Sequence, residues 1–243
     1  MGVSEPGAPL AGRLAVVTGA SRGIGLAVAT RLGADGARVV MLARGLEALA
    51  GHARAIGGHA VALRCDLADR ASVAEAASRI DAEHGTPDVV INNAGLFAIA
   101  PVAETTLDDF AATVETNLVA PFALVRAFLP AMRTRGSGHV VTIGSIADRN
   151  AFPGNGAYAA SKFGARALHE VMRTELRGSG VRATLVSPGP TDTPLWDPID
   201  PDSREGFTPR AAMLSADAVA DAVLWSLTRP ASVNVDELRL SRS

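Results

Sequence analysis

The 243-residue chain contains one tyrosine, Tyr158, and 23 basic side chains, of which only Lys162 is a lysine. The two stand four apart in Tyr158-Ala159-Ala160-Ser161-Lys162. On a helix, residues i and i+4 share a face and their side chains meet. A free phenol ionises near pH ~10, and a neighbouring ammonium favours the phenolate. A phenol tuned in this way can act as a general acid or base. Ser145 follows the apolar run His139–Ile143, and its hydroxyl can hydrogen-bond a substrate oxygen. Together the three side chains could move a proton at a carbonyl or carbinol oxygen.

Because lysine occurs once, two other chemistries fail on inspection. A phosphate-binding loop needs Gly-Lys-Ser/Thr, but Ser161 precedes Lys162 and Phe163 follows it. A Ser-x-x-Lys acyl-transfer motif needs serine at position 159, where Ala159 stands.

A second constellation lies near the start, in Thr18-Gly19-Ala20-Ser21-Arg22-Gly23-Ile24-Gly25. Gly19 allows a sharp departure from a strand. Gly23 and Gly25 let the backbone approach a ligand and let a helix pack close to a sheet. The N–H groups and dipole of that helix suit a pyrophosphate. The same residues match G-x-S-x-G, the nucleophile elbow of hydrolases. That reading lacks an HGGG-type oxyanion loop and a late Asp–His pair, since the last histidine is His169.

These groups need a scaffold, and the apolar pattern supplies one. Short runs at Leu14–Thr18, Arg38–Ala43, Ala60–Arg64, Asp88–Asn92, His139–Ile143, Val181–Val186 and Val233–Leu240 read as strands. Between them run amphipathic helices at Ile24–Ala34, Leu46–Ile56, Ala71–His84, Thr106–Arg135, Tyr158–Arg177 and Leu214–Thr228, the third capped near Asp69, the fourth opening on the capping pattern Thr106-Leu107-Asp108-Asp109 and the last capped at Ser215. Strands apolar on both faces, alternating with helices, predict an α/β fold: a Rossmann-type, doubly wound, seven-stranded parallel sheet in one domain. Pro121 and Pro130 predict a kink or break in the fourth helix. Residues 1–12 read as a flexible arm and 13–243 as the domain. The proline-interrupted stretch 188–212 reads as a lid over substrate.

Composition narrows the function. A net charge of −2 offers no basic field for nucleic acid or an anionic membrane, and no membrane partner is expected. The N-terminus shows no signal-peptide pattern. The one cysteine, Cys65, excludes an intrachain disulfide, and a cytoplasmic location is expected. The five histidines lack ligand spacing, so no metal is expected.

From Arg13 to Leu240 the chain resembles the short-chain dehydrogenase/reductase family. The family's glycine turn is similar to Thr18–Gly25, its N-N-A-G to Asn92-Asn93-Ala94-Gly95, and its acid after strand three to Asp66 beside Leu67. Its Pro-Gly segment is similar to Pro188-Gly189-Pro190-Thr191. The resemblance implies a catalytic set of Asn117, Ser145, Tyr158 and Lys162. It implies a nicotinamide cofactor held by Gly19, Ser21, Arg22, Gly23, Ile24, Gly25, Asp66 and Leu67. Asn93, Ala94, Gly95, Tyr158, Lys162, Pro188, Gly189 and Thr191 would complete that site. Lys162 would bind the nicotinamide ribose and hold the Tyr158 pKa down, and Asn117 would position a water.

Cofactor choice follows from the end of the second strand. An acid there would bind the adenosine ribose hydroxyls and select NAD, but the residue is Ala43, followed by Arg44. Arg44 and Arg22 could fork onto a 2′-phosphate, which favours NADP(H) over NAD(H). The expected activity is reduction of a ketone or aldehyde, or its reverse, with a small-molecule substrate. Ser145, Phe97, Phe152, Leu195 and Trp196 would meet that substrate, with Ile199 and Phe207 in the lid. Two alternatives remain: a reductase of 3-oxoacyl groups on an acidic carrier protein, met by Arg133, Arg135, Arg173 and Arg177, and a non-catalytic nicotinamide sensor. Surplus apolar residues on the helices 106–135 and 158–177 predict a homotetramer or homodimer.

Overall fold

The computed structural model describes residues 8–243. Seven strands form one parallel sheet: β1 (Leu14–Thr18), β2 (Arg38–Ala43), β3 (Ala60–Arg64), β4 (Val89–Asn92), β5 (Gly138–Ile143), β6 (Val181–Pro188) and β9 (Glu237–Leu240), the last following the short strands β7 (Thr191–Asp192) and β8 (Leu214–Ser215). The sheet order is β3-β2-β1-β4-β5-β6-β9. β1, β4 and β6 are buried at every position, whereas the edge strands β3 and β9 are largely not. Fully apolar central strands with helices on both faces are what a parallel sheet requires.

The helices are α1 (Gly23–Ala34), α2 (Leu46–Ile56), α3 (Arg70–His84), α4 (Leu107–Val114), α5 (Ala120–Arg135), α6 (Gly156–Glu175) and α7 (Ala216–Leu227). One core layer packs Val28 and Leu32 of α1, Leu49 of α2 and Val223 of α7 against Val17, Met41 and Val141. The opposite layer packs Val73 and Ile80 of α3, Leu124 and Phe128 of α5 and Met172 of α6 against Val16, Val40 and Val90. The predicted caps are present. Asp69 accepts from the Ala71 N–H, Thr106 from Asp109 and Ser215 from Ala218.

Chain order in the sheet runs outward from β1 to β3, then returns to β4 on the other side of β1. The loops after β1 and β4 therefore diverge, and a crevice opens at the strand C-termini.

Several expectations are corrected. The long helix does not break at its prolines. The run Leu107–Arg135 is continuous, and its irregularity is a π turn at Glu115–Val119. Pro121 directly follows that π turn inside the continuous run, so its missing N–H leaves a carbonyl of the turn without its helical partner. By length and hydropathy this run could cross a membrane, but Leu124, Phe128 and Met132 bury a stripe of it against the sheet. The last strand is only Glu237–Leu240, and Leu214 and Ser215 form β8 rather than helix. Of the arm expected over residues 1–12, positions 1–7 lie outside the described residues. Leu10 is buried in the core, and its N–H bonds the Asp35 carbonyl at 3.1 Å, so that part is docked rather than loose.

Candidate active site

The glycine turn between β1 and α1 is tight for steric reasons. Gly19 (φ +65°) and Gly23 (φ +55°) have left-handed backbone, which glycine adopts without strain. A Cβ at Gly25 would stand 2.3 Å from the Gly19 carbonyl oxygen, and one at Gly19 would stand 2.8 Å from the Ala94 Cα. Thr18 ties this turn to the loop after β4. Its hydroxyl accepts from the N–H groups of Asn93 and Ala94 at 2.9 and 3.0 Å, and the Asn93 amide returns a bond to the Thr18 carbonyl at 2.9 Å. The two strand ends at the switch point are thus one rigid unit.

A cleft of about 740 Å³ runs across that unit. At one end Arg22 and Arg44 are exposed, beside Ala43, Asp66 and Leu67. Among the described residues neither guanidinium has an ion-pair or hydrogen-bond partner, while other arginines are paired, Arg210 with both Asp192 and Asp197. Every residue expected to hold a cofactor lines the cleft except Gly25, which lies beneath the turn. The bare glycine backbone, the α1 N-terminus and the two unpaired guanidiniums fit a phosphorylated dinucleotide.

Ser145, Tyr158 and Lys162 meet in the middle of the cleft. Tyr158 and Lys162 lie on α6, and Ser145 caps the short turn Ile146–Asp148 after β5. Lys162 is 5% exposed. Its ammonium donates to the Ile143 carbonyl at 2.8 Å and lies 5.6 Å from the Tyr158 ring centroid. Burial pushes Lys162 down to about 8, with the charge of Asp148 opposing the shift. Burial pushes Tyr158 up to about 12, opposed by hydrogen bonding with Ser145 and reinforced by Asp148. The net shift of the phenol in the free protein is therefore upward, with desolvation its largest cause.

Asn117 sits in the π turn, 3% exposed and outside the cleft lining. Its side chain accepts from the Leu96 N–H at 2.7 Å and donates to the Leu96 carbonyl and the Ser161 hydroxyl, both at 2.9 Å. These bonds fix the segment after Gly95 against α6.

Phe97, Phe152, Leu195 and Trp196 all line the substrate end. Phe97 packs on Tyr158 with centroids 4.7 Å apart, Trp196 on Phe97 at 5.2 Å, and Phe207 on Trp196 at 6.4 Å. Trp196 is held by its indole N–H to the Thr191 carbonyl, and the lid limbs are joined by Arg210. Sequence reasoning missed Thr18 as the tie between loops, Ser161 as the partner of Asn117, and Asp148 beside Ser145. Only Asp148 had a readable signal, the Ser-x-x-Asp capping pattern.

The model of the short chain dehydrogenase family matches residues 13–204. The chain is 37% identical over 239 residues to glycine betaine reductase ATRR of Emericella nidulans, covering 96% of this chain but only 19% of that protein. It is 35% identical to D-threitol dehydrogenase of Mycolicibacterium smegmatis, covering 89% and 86% of the two chains. The structure of a metagenomic short-chain oxidoreductase in complex with NADP superposes with a TM-score of 0.84 at 36% identity, over 97% of this chain and 99% of that one. The chain belongs to the short-chain dehydrogenase/reductase family of oxidoreductases.

The Lys162 shift has a pH consequence. The ammonium is present below about pH 8 and is lost as pH rises through that value. Since kcat/KM reports groups of the free enzyme, the kcat/KM of carbonyl reduction is expected to fall on the alkaline side with a midpoint near 8, measured in buffers of constant ionic strength. A flat profile to pH 10 would show that turnover does not need the cation.

Proposed function

We propose that the chain is an NADP(H)-dependent reductase of ketones or aldehydes, reversible as an alcohol dehydrogenase. The observation that carries this reading is the meeting of Tyr158, Ser145 and Lys162 at the centre of a cleft whose far end holds two unpaired arginines. Structures of similar proteins contain NADP, which supports the cofactor assignment.

When bound, the nicotinamide supplies the hydride, and the residues of this chain supply position and the proton. Ser145 and Tyr158 hydrogen-bond the carbonyl oxygen. Tyr158, protonated at neutral pH as an ordinary phenol is, donates to that oxygen as negative charge develops there. Lys162 lies close enough to the ring to stabilise the departing phenolate, an effect larger in a dry cleft than in water. Gly19 to Gly25 and Arg22 with Arg44 would hold the dinucleotide. Phe97, Trp196 and Phe207 form a continuous wall beside Tyr158, which suits a carbonyl compound with an apolar or aromatic arm. The polyol and betaine named for the two relatives are the polar alternatives to include in a substrate panel. A carrier-bound acyl substrate has less support, since Arg173 already pairs with Asp236 and Arg135 with Asp88.

Exposed apolar side chains on α4, α5 and α6, among them Phe110, Phe122, Phe163 and Val171, support a symmetric homo-oligomer, a tetramer or else a dimer. Light scattering at micromolar concentration should return a multiple of the 24.9 kDa chain mass, and a monomer would refute this. The expected location is the cytoplasm.

Two variants test the chemistry. Tyr158→Phe should lower kcat by at least ~10²-fold, the range of a positioned acid, with NADPH affinity nearly unchanged. A near-normal kcat would remove Tyr158 from the proton transfer. For the cofactor, kcat/KM should favour NADPH over NADH by about 10- to 10³-fold, since charge-assisted bonds are worth ~1.5–3 kcal/mol each and screening erodes them. Ala43→Asp with Arg44→Leu should reverse the preference, by adding a repelling carboxylate and removing an attracting cation. Equal efficiency in the wild type would show that the arginines do not read the phosphate.

A further inference from the structure

Asn155 stands immediately before α6 and three residues ahead of Tyr158. Asparagine in that place normally turns its side chain onto the first N–H groups of the helix, as Asp69, Thr106 and Ser215 do at their own helices. Asn155 makes no such bond. The residue is only 7% exposed, and its Oδ1 is buried without a hydrogen-bond partner among the described residues. It nevertheless lines the cleft, together with Phe152 and Tyr158. The buried amide of Asn117, by contrast, is fully engaged by Leu96 and Ser161.

The backbone beneath this side chain is fixed. The Asn155 carbonyl accepts from the Ala159 N–H at 2.8 Å, its N–H donates to the Phe152 carbonyl at 3.3 Å, and the residue forms a β-bridge with Ala100. Asn155 therefore belongs to the first turn of α6. Residues three apart on a helix share a face, so its amide and the Tyr158 phenol flank one stretch of the cleft. Burying an amide oxygen without a partner is costly, and packing alone would be served by an apolar side chain of similar size. An amide kept at this place points to a hydrogen-bonding group that enters the cleft beside Tyr158.

We propose that Asn155 is a specificity-determining residue: its amide hydrogen-bonds a hydroxyl on the carbon next to the reacting carbonyl, so that the preferred substrates are α-hydroxy ketones or aldehydes. This deepens the reductase reading and rests on it. A hydroxyl both donates and accepts, so it satisfies the amide whether Oδ1 or Nδ2 is turned to the cleft, whereas a carbonyl or an ammonium satisfies one orientation only. With the carbonyl oxygen on Ser145 and Tyr158, the neighbouring hydroxyl meets the turn that precedes Tyr158, and the rest of the substrate lies along Phe97 and Trp196. A hydride from the nicotinamide adds to the carbonyl carbon and the Tyr158 proton to its oxygen, so the product is a vicinal diol.

The test pairs two ketones of nearly equal shape, α-hydroxyacetophenone and propiophenone, in which a hydroxyl replaces a methyl group. Each kcat/KM with NADPH is divided by the rate of reduction by borohydride, which removes the difference in carbonyl reactivity. The wild type should then favour the hydroxy ketone by at least about fivefold, the effect of one hydrogen bond. In Asn155→Ala the same ratio should fall to about one, because the hydroxyl has lost its partner. A merely structural role for Asn155 would lower both values alike and leave the ratio unchanged, and that result overturns the proposal. A wild-type ratio of about one or below also overturns it, including where Asn155→Ala does not fold, because that comparison needs no variant. Turnover of both ketones without preference leaves the reductase reading standing. No turnover of either ketone, or of any other carbonyl compound offered with NADPH, refutes the reductase reading and this inference with it.

Discussion

A buried ammonium is the constraint around which the site is arranged. Removing Lys162 from water costs several kcal/mol unless its charge is compensated, and its surroundings compensate it in two ways. The Ile143 carbonyl at the end of β5 accepts a hydrogen bond from it, and the Tyr158 ring lies within cation–π range. Each demands something of the scaffold. The first requires β5 to end where α6 passes, and the second requires tyrosine one helical turn before the lysine. Ser145 is set in the same stroke, because it begins the turn that carries Asp148.

The crevice has a second, independent support. The reversal of strand order at β1 and β4 parts the loops above the sheet, and the Thr18 hydroxyl then ties them together. Below, the Asn117 side chain bridges the segment after Gly95 to α6 through Ser161. The floor is therefore braced at two places, whereas the lid is held by the β7–β8 pairing, the Trp196 indole bond and surface ion pairs centred on Arg210. Such pairs contribute little each, so the lid is the part best placed to move when substrate enters.

Most of this was legible in the sequence because it rests on local rules. The apolar runs placed all seven strands of the main sheet, and the caps at Asp69, Thr106 and Ser215 marked three helix starts correctly. The lone Tyr158–Lys162 spacing and the glycine turn located the cleft. What stayed hidden depends on contacts distant in the chain. Whether Pro121 breaks a helix depends on the packing of the long run that contains it, and the π turn at Glu115–Val119 just before it was not foreseen. The docking of Leu10 beneath α1 is a tertiary fact. Spacing reveals the charge beside Tyr158 but not the extent of desolvation, which is the largest cause of its shift.

The central claim is that desolvation in the cleft pushes the Tyr158 phenol upward in the free protein, against what there favours the phenolate. Tyr158 is the only tyrosine, so an ultraviolet difference titration follows it alone. The account predicts almost no tyrosinate in the free protein at pH 10, the midpoint of a free phenol, while circular dichroism shows the native fold, and a midpoint near 12. Half-ionisation of the folded protein at or below pH 10 would contradict it.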